Sequence, residues 1–315
     1  MIGVIRPFGI FPGVLVGKDG FETYQEWQNF IKDILQRAER GGVVADFGLR
    51  KAISSQKGFL ESNQVLKHLA KQNLLYRWPK QADAPYDCNS IFQSLVDGAE
   101  TEPLHGIVSL EKNPTNKPPE STHPKKLSEI VISNENIRLN QNWWGQLLQQ
   151  EFVFEKTLEN YKKILLPLVK IGGDLEIWDA YFNPKRNHYR HWVDLLSFLG
   201  KNSRSRIVIN TSEKALEQEN GQMDFQIAME PLMRTFLPKS NRLLVVLRNQ
   251  RQMPDGFHDR FIFTRTSVSI QLSWGTDQAA ENRQTCLILS PETARRKREI
   301  LNNAPESSRL ETFSI

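Results

Sequence analysis

Cysteine is nearly absent from this sequence. Cys88 and Cys286 are the only two, which excludes a multi-bridge disulfide framework and a multi-cysteine metal site. A chain without such bridges is typical of a reducing compartment, so we expect it in the cytoplasm. Motifs for phosphate-binding loops, dinucleotide-binding loops, zinc-binding helices and serine nucleophile elbows are also missing. We therefore expect neither a metal nor a cofactor.

Long apolar runs are missing as well. Residues 1–20 are mostly apolar, but Pro7, Gly9, Pro12 and Gly13 interrupt them every few positions, and no charged region precedes them. Such a stretch is too interrupted for a membrane span and lacks the charged start of a signal peptide. We do not expect a membrane among the partners.

The remaining composition is that of a globular protein with an anionic partner. The 315 residues are 39% hydrophobic and 24% charged, which suffices for two domains, and the net charge is +5. The proline-rich segment EKNPTNKPPESTHPKK contains no large apolar residue and predicts a linker. We therefore divide the chain into an N-terminal domain, a linker, a C-terminal domain and a loose tail, at residues 1–110, 111–126, 127–303 and 304–315.

Three helical patterns precede a strand pattern in the N-terminal domain. Apolar residues recur at helical spacing over 21–40, 46–55 and 61–73, and the sequence LLYRW follows at 74–78. This order resembles a winged helix-turn-helix domain over residues 21–98. The resemblance implies a helix in the DNA major groove and a wing on the backbone. The DNA-binding residues would be Lys67 and Lys71 of the helix, with Arg77 and Lys80 of the wing. The same outline also fits a module that binds other proteins.

Strand and helix patterns alternate in the C-terminal domain, which predicts an α/β fold with helices covering a mostly parallel sheet. One long helical pattern runs from Trp143 to Leu168. The expected strands lie at 127–139, 174–182, 206–210, 242–247, 255–264 and 267–276. Ligands of such sheets gather where strands end. Four polar residues fall there, namely Asp179, Asn210, Arg248 and His258.

A histidine and an arginine stand two positions apart in FHDRFIFT, residues 257–264. In a strand, side chains alternate between faces, so His258 and Arg260 would point the same way. An imidazole supplies a nucleophile or an acid and base, and a guanidinium binds phosphate. The pattern therefore predicts a phosphate site on one surface.

DLEIWDAYF, FHDRFIFT and SIQLSWG together resemble the phospholipase D-like domains that carry a single HDR-type motif. The closest likeness is to the domain carboxy-terminal to microtubule-interacting-and-trafficking modules and to its bacterial relatives, over residues 155–277. The resemblance implies a phospholipase D-like mixed sheet flanked by helices. It also implies His258 as the nucleophile and Arg260 in the place of the phosphate-binding lysine. Ser273 and Asp179 would complete the catalytic set.

Three positions depart from the family pattern. Arg265 stands at the aspartate position, Leu272-Ser273 at the Gly-Ser position and Gly275 where asparagine is usual. The family also brings two histidines together, the second protonating the leaving group. A homodimer could supply it from a second copy. His188 or His191 could supply it from the same chain.

The last helical pattern carries four consecutive cations, Arg295, Arg296, Lys297 and Arg298. They form either a solvated helix face or a basic track for a nucleic-acid backbone. His258 itself could be a structural residue paired with Asp179 or Asp259. With the aspartate and Gly-Ser elements lost, binding is favoured over cleavage.

The sequence thus predicts a nucleic-acid-binding protein, with DNA preferred to RNA, in a prokaryotic defence or mobile-element system. Its phospholipase D-like domain would recognise the phosphodiester backbone, alone or together with partner proteins. One alternative is a metal-independent phosphodiesterase that uses His258 across a homodimer. Another is an adaptor for anionic phospholipid or for protein.

Overall fold

The computed structural model describes two compact units. The first contains the described residues from Arg6 to Gln149, and the second those from Gln150 to Ser314. The described residues are 6–16, 21, 23–55, 62–83, 86–98, 106–108, 131–132, 147–203, 205–218, 221–233, 243–254, 257–265, 268–273, 276–277 and 283–314. No helix within these ranges is long and apolar enough to cross a membrane.

The first unit is built on a parallel sheet in the order β3-β2-β1-β4-β5. Its strands are β1 (Arg6–Ile10), β2 (Gly42–Asp46), β3 (Leu75–Arg77), β4 (Gly106–Val108) and β5 (Val131–Ile132). Its helices are α1 (Pro12–Val16), α2 (Tyr24–Glu39), α3 (Leu49–Ser54), α4 (Ser62–Lys71) and α5 (Cys88–Gly98).

Specific residues determine where helix α2 begins and where it ends. The Thr23 hydroxyl accepts a hydrogen bond from the backbone N–H of Glu26 at 3.2 Å, which satisfies one of the free donors of the first turn. Gly41, at φ 94°, supplies the left-handed conformation that follows the last turn. The apolar stripe between these ends is buried, and the indole N–H of Trp27 donates to the carbonyl of Val14 at 3.0 Å.

The helices predicted at 21–40, 46–55 and 61–73 are present, but the winged-helix resemblance needs correction. The predicted wing, at 74–78, contains β3, which pairs in parallel with β2. A wing is an antiparallel ribbon, whereas parallel neighbours are joined by crossover helices. Strand β2 was among those missed, although its sequence GVVAD is the short apolar run of a strand buried on both faces.

The second unit is built on an eight-stranded mixed sheet in the order β15-β11-β8-β7-β12-β13-β14-β6. Its strands are β6 (Glu151–Glu155), β7 (Leu175–Trp178), β8 (Ile207–Ser212), β9 (Glu217–Gln218), β10 (Gly221–Gln222), β11 (Leu243–Arg248), β12 (Arg260–Thr264), β13 (Ser269–Leu272), β14 (Arg283–Leu289) and β15 (Arg309–Ser314), of which β9 and β10 form a separate hairpin. Its helices are α6 (Leu158–Gly172), α7 (His191–Asn202), α8 (Phe225–Met233) and α9 (Pro291–Asn302). The predicted α/β class, a mixed sheet flanked by helices, is confirmed.

Three sequence predictions need correction in this unit. The long helix from Trp143 to Leu168 is interrupted by β6, and α6 begins only after Thr157, whose hydroxyl caps it. The tail at 304–315, expected to be loose, contains β15, which pairs with β11 and buries Phe313. The second unit begins near residue 150 rather than at 127, because β5 pairs with β4 of the first unit. The predicted linker at 111–126 lies outside the described residues.

Helix α6 approaches the sheet closely at its last residue. A Cβ atom at Gly172 would lie 2.8 Å from the Cβ of Thr264 on β12. Thr264 cannot swing away easily, since it is buried and its hydroxyl donates to the carbonyl of Val268 at 2.6 Å. Glycine therefore sets the distance between helix and sheet.

We expect Gly172→Ala to destabilise the protein by about 1–3 kcal/mol, because the added methyl group overpacks this contact. Urea unfolding followed by tryptophan fluorescence measures the change. Lys163→Ala is the control, since Lys163 is exposed on the same helix. Equal stabilities of the two variants would contradict the close approach.

Candidate functional site

One edge of the eight-stranded sheet brings the predicted site residues together. Strands β7, β8 and β11 are parallel, so their carboxyl ends meet there, and β12 starts there because it runs antiparallel to β7. Asp179 follows β7, Asn210 lies near the end of β8, and Arg248 ends β11. Arg260 begins β12, and His258 lies two residues before it. The sequence expectation that these residues share one edge agrees with this topology.

The carboxylate of Asp179 is wholly buried and is surrounded by donors. It accepts hydrogen bonds from the backbone N–H of Tyr181 at 3.0 Å, from the hydroxyl of Tyr189 at 3.1 Å and from the backbone N–H of Thr276 at 3.0 Å. The Thr276 hydroxyl donates to the same carboxylate. Burial and the neighbouring Asp179 charge raise the pKa of Tyr189 well above its ordinary value, so this phenol stays a donor. Asp179 thus joins three separate segments at the edge.

Arg260 is held over this buried carboxylate. Its Nε lies 4.0 Å from Asp179 Oδ1, and its guanidinium lies over the ring of Tyr181 at 5.2 Å. Its Nη1 donates to the carbonyl of His258 at 2.7 Å. The side chain is still 20% exposed, although its Nε is buried and makes no hydrogen bond.

His258 lies in a turn and not on the strand, which corrects the predicted alternation with Arg260. Strand β12 begins only at Arg260, whose side chain folds back onto the carbonyl of His258. The His258 imidazole is exposed, and the side-chain amide of Gln250 lies 3.2 Å from its ring nitrogens. The alternative in which Asp179 pairs with His258 is wrong, because donors from other segments occupy that carboxylate.

Ser273 is placed on the other face of the sheet. Leu272 is the register partner of Arg260, so strand alternation turns the next side chain away from the Arg260 face. The Ser273 hydroxyl accepts the backbone N–H of Thr285 at 3.2 Å, a contact within the sheet. The structure therefore brings His258, Arg260 and Asp179 together and leaves Ser273 apart.

Arg248 also lies on the other face. Its Nε donates to Asn210 Oδ1 at 3.1 Å, and its guanidinium lies over the ring of Trp178 at 5.5 Å. Burial lowers the pKa of Arg248, a sign that its charge is poorly solvated. These contacts assign Arg248 to the packing beneath the edge.

The cations of α9 divide into two pairs. Arg298 donates to Glu176 at 2.7 Å, and Lys297 lies over the ring of Phe261 at 5.6 Å, so both help to fasten the helix to the sheet. Arg295 and Arg296 are exposed. In the first unit, the four predicted DNA-binding residues are all exposed, and they are Lys67, Lys71, Arg77 and Lys80.

The sequence predicted His188 or His191 as a second acid from the same chain. His191 is buried and stacks on the ring of Tyr161, with ring centroids 5.2 Å apart. Neither of its ring nitrogens has a hydrogen bond of good geometry, although the backbone of Thr276 and of His188 lies nearby. Burial lowers the pKa of His191 to about 4. His191 therefore cannot reach a ligand at the edge, whereas His188 is exposed.

Several residues of the site carry little or no signal in the sequence. Tyr189 and Thr276 hold Asp179 from 10 and 97 residues away, so no local spacing connects them. Gln250 follows the apolar run of β11 in a polar stretch without a motif. Tyr181 could have been suspected from the sequence, since it stands two positions after Asp179 in DAYF.

Comparisons with known proteins add little. No protein-family model matches the chain, and no curated protein matches it. Among solved structures, the chain is similar to phosphatidylserine synthase of Haemophilus influenzae Rd KW20, with 16% identity and a TM-score of 0.30. The match covers 62% of this chain and 48% of the other, so this chain spans about half the length of the synthase. A likeness this distant carries no information about activity.

Burial of His191 predicts an acid-sensitive fold. Since its pKa of about 4 in the folded state lies below the ordinary 6.5, the unfolded chain binds the proton more readily, and acid favours unfolding. Stability should be complete above pH 6.5 and should fall by on the order of 3 kcal/mol as the pH drops to 4.

We expect His191→Phe to remove this part of the pH dependence, because phenylalanine keeps the stacking on Tyr161 without a titrating group. Urea unfolding between pH 7 and pH 4 measures it. The matched control is His188→Phe, which removes an exposed histidine from the preceding turn. If both variants lose stability in acid as steeply as the unaltered chain, His191 is not the titrating group.

Proposed function

We propose that the second unit binds the phosphodiester backbone of a nucleic acid at the edge formed by Arg260 and His258. The observation that carries this proposal is the fixed guanidinium of Arg260. Asp179 at 4.0 Å and the Tyr181 ring at 5.2 Å hold it in place, which reduces the conformational entropy lost on binding. A planar guanidinium donates two parallel hydrogen bonds to a phosphate.

The electrostatics of the edge support an anionic ligand. The Asp179 carboxylate accepts hydrogen bonds from neutral groups of Tyr181, Tyr189 and Thr276. Of the Arg260 guanidinium, the Nε atom faces this carboxylate. The contact at 4.0 Å is longer than a direct hydrogen bond, so the cation is oriented without being tightly paired. Its remaining N–H groups can serve a ligand.

The choice of a polymer rests on the charge of the chain. The net charge is +5, and α9 presents Arg295 and Arg296 to solvent in the same unit. A nucleic-acid backbone is a regular array of phosphates, and each neutralised phosphate adds affinity through counterion release. The exposed cations of the first unit, including Lys67 and Lys71, would add further contacts of this kind.

A second candidate function is metal-independent cleavage of the phosphodiester. The observation that favours it is the exposed imidazole of His258, two residues from the phosphate-binding cation. An imidazole that reaches phosphorus can act as a nucleophile and form a covalent phospho-histidine with loss of the alcohol.

Arg260→Gln should weaken binding of a short fluorescent DNA strand by about 10–100-fold, the value of one charge-assisted contact. It should also reduce the dependence of log K on log salt by about one unit. Fluorescence anisotropy across a salt series measures both. The matched control is Arg265→Gln, because Arg265 is exposed at the far end of the same strand, about 17 Å away at ~3.4 Å per residue.

Equal effects of these two substitutions would show that Arg260 contributes only overall charge. Absence of binding by the unaltered chain at low salt would overturn the proposal. An anionic vesicle offered in place of DNA tests the phospholipid alternative in the same format.

If the cleavage function holds, a fluorogenic phosphodiester should be hydrolysed in the presence of a chelator, and His258→Ala should abolish the reaction. His68→Ala is the control, since that histidine lies in the first unit and pairs with Glu39 at 3.1 Å. Activity that survives His258→Ala, or that vanishes with the chelator, would exclude His258 as a metal-independent nucleophile.

A further inference from the structure

We propose that a pocket between α7, α8 and the loop before α7 binds an unpaired guanine base of the strand whose backbone Arg260 recognises. The pocket has a volume of about 540 Å³, a size typical of small-molecule sites. The residues that line it include Pro184, Asn187, Arg190, Val193, Asp194 and Pro231. The inference rests on the proposed function for the strand, whereas the pocket itself can be tested with a nucleoside.

The pocket lies on the same side of the eight-stranded sheet as Arg260. In β12 the side chains of Arg260 and Thr264 point the same way, and a Cβ atom added at Gly172 of α6 would meet Thr264. Helix α6 therefore covers the Arg260 face. Helix α7 packs beside α6, as the stacking of Tyr161 on His191 shows. A strand bound at Arg260 thus has α7 next to it.

A fixed loop joins the pocket to the phosphate site. The hydroxyl of Tyr189 donates to Asp179 at 3.1 Å, and Arg190 of the pocket is the next residue. At the start of the loop, the buried side chain of Asn183 accepts the backbone N–H of Lys185 at 3.0 Å. The loop is therefore anchored at both ends beside the edge.

Three polar side chains of the pocket are available to a ligand. Among the residues that the structure describes, the side chains of Asn187, Arg190 and Asp194 make neither a hydrogen bond nor an ion pair, and all three are exposed. Arg190 and Asp194 stand four positions apart at the start of α7, so they are neighbours on one face of the helix. Two further charges of the pocket, those of Lys185 and Glu230, lie 3.8 Å from each other.

Guanine matches these groups better than the other bases do. Its N1–H and N2–H₂ donors stand side by side and suit the two oxygens of one carboxylate, that of Asp194, whereas its O6 and N7 acceptors suit the guanidinium of Arg190. Adenine, cytosine and thymine lack such a pair of adjacent donors. Pro184, Val193 and Pro231 supply apolar walls for the faces of the ring.

This assignment narrows the substrate class to single-stranded or locally unpaired nucleic acid. In a duplex the N1–H and N2–H₂ groups pair with cytosine, so a carboxylate reaches them only after the base has left the stack. Contacts to phosphate carry no sequence information of their own. The pocket therefore adds a base preference to the backbone recognition at Arg260.

Two strands that differ by one amino group test this preference. The first is a thymine-rich fluorescent DNA strand with one central guanine, and the second carries hypoxanthine there, which lacks the N2–H₂ group. We expect the full chain to bind the guanine strand about 10-fold more tightly, the value of one hydrogen bond to a charged group. Fluorescence anisotropy measures both affinities.

Asp194→Asn separates base recognition from overall charge. Removal of a negative charge favours binding of every strand by general electrostatics. A carboxylate that binds guanine predicts the opposite, namely weaker binding of the guanine strand and no preference over the hypoxanthine strand. Glu299→Gln is the matched control that keeps the preference, because Glu299 is exposed on α9. Equal affinities in the unaltered chain, or a preference that survives Asp194→Asn, would overturn the inference.

Saturation-transfer NMR with guanosine tests the pocket without the phosphate site, because guanosine has no phosphate. We expect a guanosine signal with the unaltered chain and its loss with Asp194→Asn. If guanosine binds in this way but no strand binds, the pocket stands and the proposed function fails. If strands bind through Arg260 without a guanine preference, the proposed function stands and the pocket inference fails.

Discussion

The burial of one carboxylate, that of Asp179, determines the arrangement of the edge. A buried charge is tolerated only when donors and a counter-charge surround it, because each unmet hydrogen bond costs about 1–3 kcal/mol. Tyr189 and Thr276 supply donors from the segment before α7 and the segment after β13. The fold therefore has to bring three distant pieces of chain to the end of β7, and Arg260 is placed as a consequence.

The two faces of the sheet hold guanidinium groups with different partners. On the face of Asp179, the guanidinium of Arg260 is oriented at 4.0 Å and partly exposed. On the opposite face, Arg248 donates to Asn210, and Arg298 of α9 donates to Glu176. Arg298 forms a direct ion pair although 40% of its side chain is exposed, whereas the Nε of Arg260 faces Asp179 without a hydrogen bond. Sequence composition alone cannot make this distinction, because all these residues carry the same charge.

Elements formed by a local sequence pattern were predicted, whereas those that depend on contacts between distant residues were not. Strands β7, β8 and β11 were predicted because each is a short apolar run of its own. The parallel pairing of β3 with β2 was missed, since it depends on contacts outside the local pattern. Strand β15 was taken for a loose tail because its residues are mostly polar and only Phe313 is buried. The strand predicted at 255–264 begins only at Arg260, because His258 lies in a turn, and the Arg260 side chain donates back to the carbonyl of His258.

The positions of the histidines limit the reactions that this edge could catalyse. Attack on phosphorus needs one nucleophile, and departure of the alcohol needs one acid. His191 is unsuited to the second task, since its ring is buried and its pKa lies near 4. His188 is exposed, but its ring packs beside that of Tyr189, with centroids 5.1 Å apart, and so belongs to the segment that holds Asp179. Among the described residues, the edge therefore offers one exposed imidazole, that of His258, and one guanidinium oriented by Asp179, that of Arg260. A complete cleavage cycle would then take its acid from water or from a second copy of the chain, and recognition without cleavage needs neither.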